Sequence, residues 1–291
     1  MDELTLKALA KINLGLDVVR RREDGYHEVR MVMQTIHLYD RLEIKKIRQP
    51  KIKISSNLSF LPTNESNLVY KAAQLLQDEF DLREGVLVRL IKRIPVAAGM
   101  AGGSTDAAAM LYGMNQMFDL GLSRKELMKR GVQIGADVPY CIMRGTALAE
   151  GIGEKLTQLP PMVKCPVLIA KPSVSVSTKF VYQNLKLDAQ TPHPDIDALR
   201  AAIRDKSLDG VCEHMGNVLE TVTIPNYPII AKIKDQMLRS GAKASMMSGS
   251  GPTVFGLFAD VDTAKRAFRE MKRSGLARQV YLTTIYNNRR K

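Results

Sequence analysis

The sequence predicts an α+β protein of two domains, and three observations carry that expectation. The chain opens on strand-like alternation, strand and helix patterns then follow without a repeat, and the break "LPPMVKCP" falls at residues 159–166. Dividing the 291 residues into 1–160 and 161–291 gives two domains of ordinary size.

At the start, Leu4, Leu6, Ala8, Ala10, Ile12, Leu14, Leu16 and Val18 share one parity, while Thr5, Lys7, Lys11, Asn13 and Asp17 share the other. That is the pattern of a half-buried strand. "HEVRMVMQTIHLYDRLEI" and "PKIKISS" continue as strands. "SNLVYKAAQLLQDEF" sets Leu68, Ala72, Leu75, Leu76 and Phe80 at helical spacing behind a Ser-Asn cap signal. "VLVRLIKRIPV" reads as a strand, leading through a glycine-rich turn into the helix "STDAAAMLYGMNQMF". "SRKELMKRGVQIG" predicts a helix capped by Ser123, and "DVPYCIMRGTALAEGIGEKLTQLP" predicts short strands. Past the break come the strand "VLIAKP", a loop, helices near 195–206 and 207–220, and the helix "PIIAKIKDQMLRSG". The strand-turn-strand "ASMMSGSGPTVFGLF", the helix "DTAKRAFREMKRSG" and the strand "QVYLTTIY" complete the order.

Composition narrows the class. At 45% hydrophobic and 25% charged, with no Trp, this is an ordinary globular composition with an aliphatic core. Cys141, Cys165 and Cys212 are too far apart for a metal-ligand motif and too few for a disulfide framework, which suits a reducing cytoplasm. The opening "MDELTLKALAKINL" lacks a basic-then-apolar leader, and no apolar run is long enough to span a membrane. The net charge of +13 favours anionic partners. Its basic residues are scattered through "RRRED", "KKIRQPKIK", "REMKRSG" and the tail "NNRRK", without the aromatic interleaving of a nucleic-acid module. Phosphorylated small molecules therefore come first, and neither nucleic acid nor a membrane is expected.

One stretch carries chemistry of its own. "PVAAGMAGGSTDAAAML" crowds Gly99, Gly102 and Gly103 between a strand and a helix. Such a turn presents free backbone N–H groups at the positive end of a helix dipole, and glycines let an anion approach closely. Ser104 and Thr105 add hydroxyls for phosphate oxygens or Mg²⁺, and Asp106 would cap the helix or meet the metal, although a plain turn with a helix cap would use the same residues. No lysine follows the glycines as in a P-loop, and "GSGPTV" does not complete a dinucleotide fingerprint.

"PVAAGMAGGSTDAA" resembles the phosphate loop of the GHMP kinases, which act on galactose, homoserine, mevalonate and phosphomevalonate. "AKINLGLDV" at 10–18 and "MMSGSGPTVFGLF" at 246–258 agree with that family in order. "RREDGYHEV" and "IGADVPYC" resemble the branch that acts on 4-diphosphocytidyl-2-C-methyl-D-erythritol. The resemblance spans essentially the whole chain. It implies the two-domain GHMP kinase fold: an N-terminal domain like ribosomal protein S5 domain 2, a ferredoxin-like C-terminal domain, and an active site between them. It also implies ATP as phosphoryl donor, with Mg²⁺ expected, and a cytidine diphosphate sugar alcohol as the second substrate. The sequence departs from many relatives at Ala101, where a glycine is usual, at Thr105 for serine and at Met100 for leucine.

On this resemblance Pro95, Val96, Ala97, Ala98, Gly99, Met100, Ala101, Gly102, Gly103, Ser104 and Thr105 hold the ATP phosphates, and Asn67 and Leu68 border the adenine. Asp137 would be the general base, with Lys11 pairing with it and steadying charge on the transferred group. Asn13 would face the substrate, Tyr26 and His27 would read cytosine, and Thr178 would meet substrate hydroxyls. Tyr182 would complete the cytosine stack, with Phe180 as rival. Taken alone, each has an ordinary reading: Lys11 and Asn13 as the polar side of a strand, Asp137 as a turn residue, Tyr26 and His27 as cover over a hairpin turn at Asp24-Gly25. Three other readings stay open: a kinase for homoserine or mevalonate, a binding protein that has lost catalysis, and a basic nucleic-acid binder.

Overall fold

A computed structural model describes residues 2–188 and 190–288. The end of the basic tail, 289–291, lies outside the described residues. The chain runs β1 (Glu3–Arg21), β2 (His27–Ile47), β3 (Ile52–Ser56), α1 (Leu68–Glu79), β4 (Gly85–Ile91), α2 (Gly102–Met117), α3 (Arg124–Ile134) and α4 (Val138–Met143). It continues β5 (Thr146–Gly151), β6 (Lys155–Gln158), β7 (Pro166–Lys171), α5 (Thr178–Asn184), α6 (Ile196–Arg204), α7 (Leu208–His214) and β8 (Gly216–Asn217). Last come α8 (Glu220–Asn226), α9 (Ile229–Arg239), β9 (Ala244–Met247), β10 (Val254–Leu257), α10 (Val261–Arg273) and β11 (Gln279–Thr284).

The chain forms two units interleaved in sequence. The first takes the residues up to Ala10, Leu38–Val96 and Ala101–Met143. Here β2 pairs antiparallel with β4, Leu42 opposite Leu90 and Ile44 opposite Val88, and β3 adds in parallel to β4. The helices α1, α2 and α3 pack on one another. Gly113 lets α2 approach the sheet, because a Cβ there would lie 2.6 Å from Ile44 Cδ1. Asn67 caps α1 through a 2.9 Å bond from Val69 N–H, and Ser123 with Glu126 forms a capping box on α3.

The second unit takes Lys11–His37, Ala97–Met100 and the chain from Arg144 onward. Here β2 pairs with β5, Val32 opposite Leu148, and β5 with β6. A four-stranded antiparallel sheet has the order β11-β7-β10-β9, the 4-1-3-2 order of a ferredoxin-like fold. α9 and α10 pack on it, and Phe255 in β10 and Phe258 just past it are fully buried. Each such side chain stabilises the fold by roughly 1.5–3 kcal/mol.

Three local expectations fail. Residues 138–143 form α4 where short strands were expected. Val138, Pro139, Tyr140 and Cys141 are all buried, and a short apolar run fits helix or strand equally. The helix expected over 207–220 ends at His214, because Gly216 pairs with Gly15 and Asn217 is pinned by 2.9 and 2.8 Å bonds to the Met247 and Gly249 carbonyls. A short helix, α5, replaces part of the loop after β7, with the Ser177 hydroxyl accepting from Phe180 N–H.

Candidate active site

In β1 the polar parity is exposed at Thr5 and Lys7 but buried at Lys11 and Asn13. Burial is continuous from Ala8 to Leu16, with Lys11 5% exposed and Asn13 fully buried. Lys11 Nζ donates to Asn13 Oδ1 at 2.7 Å, and Asn13 Nδ2 lies 3.2 Å from Met31 Sδ. A neutral amide is a weak partner for a buried ammonium, which leaves that charge available to an anion. The Lys11 backbone N–H donates to the Met100 carbonyl at 3.2 Å, so β1 carries the glycine loop.

The "SGSGPT" turn meets the same loop. Ser248 Oγ donates to the Gly99 carbonyl at 3.0 Å, and a Cβ on Gly249 would lie 3.7 Å from Asn13 Oδ1. Ser250 Oγ and Thr178 Oγ1 are 2.8 Å apart, which joins α5 to the turn. The second unit thus brings together Lys11, Asn13, Gly99, the "SGSGPT" turn and Thr178.

The hairpin between β1 and β2 turns as expected, with Gly25 at φ +83° and Arg22 N–H bonded to the Tyr26 carbonyl at 2.8 Å. Tyr26 is 61% exposed. His27 is half-buried, with its ring centroid 5.1 Å from that of Tyr182 at a 45° tilt. Burial, and then the charge of Arg21, hold the His27 imidazole below the usual histidine range. A neutral imidazole offers one donor and one acceptor to a base edge. Phe180 is exposed on the same helix.

In the first unit, α2 begins without a side-chain cap. Ala101 ahead of it holds φ +55°, and Ala97, of the second unit, φ +49°, positions that a glycine fills more easily. The first N–H groups of α2 are thereby left for a ligand. Pro95, Ala98 and Met100 are buried, so they offer the loop only backbone; Val96, Ala97 and Gly103 are exposed. Ser104 is half-buried, whereas Thr105 Oγ1 donates to the Leu9 carbonyl at 2.8 Å and ties α2 to β1. Leu68 lies against Gly103, its Cδ1 3.5 Å from where a Cβ would stand. The Asn67 side chain is committed to its cap and to a 2.7 Å bond to the Pro62 carbonyl. Asp137 is half-buried ahead of α4, where its backbone carbonyl accepts from Cys141 N–H at 3.0 Å.

Lys92, Asp40 and Asp106 form a cluster of buried charge that the sequence alone did not bring together. The signal was present: Lys92 shares parity with Val86, Val88, Leu90 and Ile94, and Asp40 with Leu38, Leu42 and Ile44, all buried. Among the described residues no three His, Cys, Asp or Glu side chains are gathered to hold a metal ion.

The chain carries a strand leading through a glycine turn into an uncapped helix and a sheet of ferredoxin-like order, and it matches both halves of the GHMP kinases. The GHMP kinases N terminal domain matches residues 67–145, and the GHMP kinases C terminal domain matches 196–277. A 4-diphosphocytidyl-2-C-methyl-D-erythritol kinase of Lachnospira eligens is 57% identical over 286 residues, 98% of this chain and 99% of that protein. One of Lachnoclostridium phytofermentans is 55% identical over 99% of each chain. A crystal structure of 4-(cytidine 5'-diphospho)-2C-methyl-D-erythritol kinase superposes with a TM-score of 0.85 at 30% identity, covering 98% of this chain and all of that one. Homoserine kinase from Cytophaga hutchinsonii shares the fold at a TM-score of 0.79 and 19% identity, over 99% of this chain and 96% of that one. The chain belongs to the 4-diphosphocytidyl-2-C-methyl-D-erythritol kinase family of GHMP kinases.

Proposed function

We propose that the protein transfers the γ-phosphoryl group of ATP to the 2-hydroxyl of 4-diphosphocytidyl-2-C-methyl-D-erythritol, releasing ADP, in the non-mevalonate route to isoprenoid precursors. The observation that carries this reading is the full-length identity of 57% with a relative of that name. The half-buried His27–Tyr182 ring contact supports it, because homoserine and mevalonate have no base to stack.

In this reading the substrate oxygen attacks the γ-phosphorus as Asp137 takes the hydroxyl proton, and the bond from phosphorus to the ADP oxygen breaks. Phosphoryl transfer needs alignment and charge stabilisation more than covalent chemistry with the protein. The N-terminal N–H groups of α2, with Ser104, hold phosphate oxygens, and Lys11 supplies positive charge to the phosphoryl group. Thr105 serves through its bond to Leu9, which fixes the helix. Leu68 borders the adenine, with Asn67 shaping that border through its cap. Mg²⁺ enters as part of the Mg-ATP substrate. Asn13 and Thr178 face the sugar alcohol, and Tyr26, His27 and Tyr182 the cytosine.

We take the cytoplasm as the compartment and the two small molecules as the partners, and we keep a division near residue 160 as the boundary of the two sequence modules. Among the described residues no helix is long and apolar enough to cross a membrane. ADP release measured with the cytidine compound, homoserine and mevalonate in parallel tests the substrate. A kcat/KM favouring either rival overturns it.

A further inference from the structure

Three buried ionisable side chains of the first unit have no part in the chemistry above. Lys92 Nζ donates to Asp106 Oδ2 at 2.6 Å and also to Asp40 Oδ2. Their side chains are 3%, 3% and 0% exposed, in the order Lys92, Asp106, Asp40. Asp40 Oδ1 further accepts from Arg93 N–H at 2.5 Å and Ile94 N–H at 2.8 Å, so both of its oxygens are engaged. Asp106 differs: its Oδ1 is buried without a hydrogen-bond partner. An ionised carboxylate with a bare oxygen in the interior is strongly disfavoured.

The three side chains brace the glycine loop. Asp40 holds the backbone where the loop begins, at Arg93 and Ile94, and Asp106 belongs to the first turns of α2 where the loop ends. Lys92 joins the two, and a Cβ on Gly102 would lie 3.3 Å from its Nζ. With both carboxylates ionised, this cluster would place a net negative charge beside the open end of α2 and oppose a phosphate. With one proton aboard, the cluster is neutral and keeps its ammonium beside Gly102.

We propose that Lys92, Asp40 and Asp106 form a buried positioning cluster for the phosphate loop, in which Asp40 is the one carboxylate and Asp106 a neutral carboxyl carrying a proton. Burial, reinforced by the charge of Asp40, holds Asp106 well above the usual carboxylate range against the pull of Lys92. Burial works against the Lys92 charge, and the Asp40 carboxylate that accepts from Lys92 Nζ works to keep the ammonium charged. The inference rests on the kinase reading, since it is the ATP phosphates that the loop would hold.

The test compares Asp106→Asn, Asp106→Ala and Asp40→Asn. Asparagine reproduces the shape and the acceptor of a neutral carboxyl, so Asp106→Asn keeps KM for ATP within about threefold. Asp106→Ala and Asp40→Asn raise it about tenfold, with KM for the second substrate little changed. An infrared difference spectrum of wild type against Asp106→Asn loses the carbonyl stretch of a protonated carboxyl, a readout that stands even if Asp40→Asn fails to fold. Asp106→Asn as damaging as Asp106→Ala, or no such band lost, overturns the cluster as described. A wild-type protein that transfers nothing from ATP overturns the kinase reading instead, and the infrared result still decides the protonation of Asp106.

Discussion

The Ser248 hydroxyl donates to the Gly99 carbonyl at 3.0 Å, tying the "SGSGPT" turn to the glycine loop across 149 residues of chain. The approach is close because Gly99 has no side chain: a Cβ there would stand 2.0 Å from the Ser248 carbonyl oxygen, and Gly99 holds φ +69°. Gly99→Ala therefore meets steric clash and backbone strain together. We expect a loss of at least about 2 kcal/mol of stability in urea unfolding, with ATP binding impaired as well. Unfolding like wild type would contradict the contact.

Gly103→Ala separates folding from binding. Its Cβ would meet Leu68 Cδ1 at 3.5 Å, an ordinary contact, and Gly103 lies inside a helix where alanine is preferred. The variant should fold at least as stably as wild type yet raise KM for ATP about tenfold, because the methyl group occupies the approach to the helix N–H groups. An unchanged KM would remove the start of α2 from the nucleotide site.

Thr105 acts as a fastener. Thr105→Val keeps the volume but leaves the buried Leu9 carbonyl without its 2.8 Å donor. Stability should fall by about 1–3 kcal/mol in denaturant titration.

Tyr182 and Phe180 lie on one helix, and Tyr182 is the one against His27. Stacking on a base is worth about 1–3 kcal/mol, so Tyr182→Ala should raise KM for the cytidine substrate about tenfold or more while sparing KM for ATP. Phe180→Ala should leave both nearly unchanged. The reverse pattern would transfer the stacking role to Phe180.

The His27 imidazole titrates below the usual histidine range because burial, and then Arg21, disfavour its charged form. The unfolded chain then binds the proton first as pH falls. Any stability that neutral His27 contributes is present above the ordinary histidine pKa and is lost as pH drops through the folded one. An NMR titration should give a midpoint below about 6.5. A midpoint at or above that value would contradict the burial of the ring.

Most of the element order was legible because alternation and helical spacing are local. Leu38, Leu42 and Ile44 announced β2, and Asn67 and Ser123 marked helix starts by their caps. The site was legible as motifs but not as surroundings. Lys11 and Asn13 looked like a solvated face, yet the "SGSGPT" turn lies beside Asn13, and no parity rule carries that information. Likewise Lys92 and Asp40 stood on buried parities, but only the fold reveals that Asp106 meets them. The run Val138–Cys141 was ambiguous by its own physics, since four buried apolar residues define no period.

Asp137 carries the proton transfer in this account, and general-base catalysis is worth about 10²–10⁴-fold. Asp137→Asn should lower kcat by that range while leaving ATP binding within a few-fold, measured by turnover alongside equilibrium nucleotide titration. Near-normal turnover would remove Asp137 as the base.

The most direct test is one incubation with Mg-ATP and 4-diphosphocytidyl-2-C-methyl-D-erythritol, read by phosphorus NMR and mass spectrometry. A new phosphomonoester resonance on the cytidine compound, formed in step with ADP, is the predicted result. ATP bound but no phosphate on that compound would contradict the account.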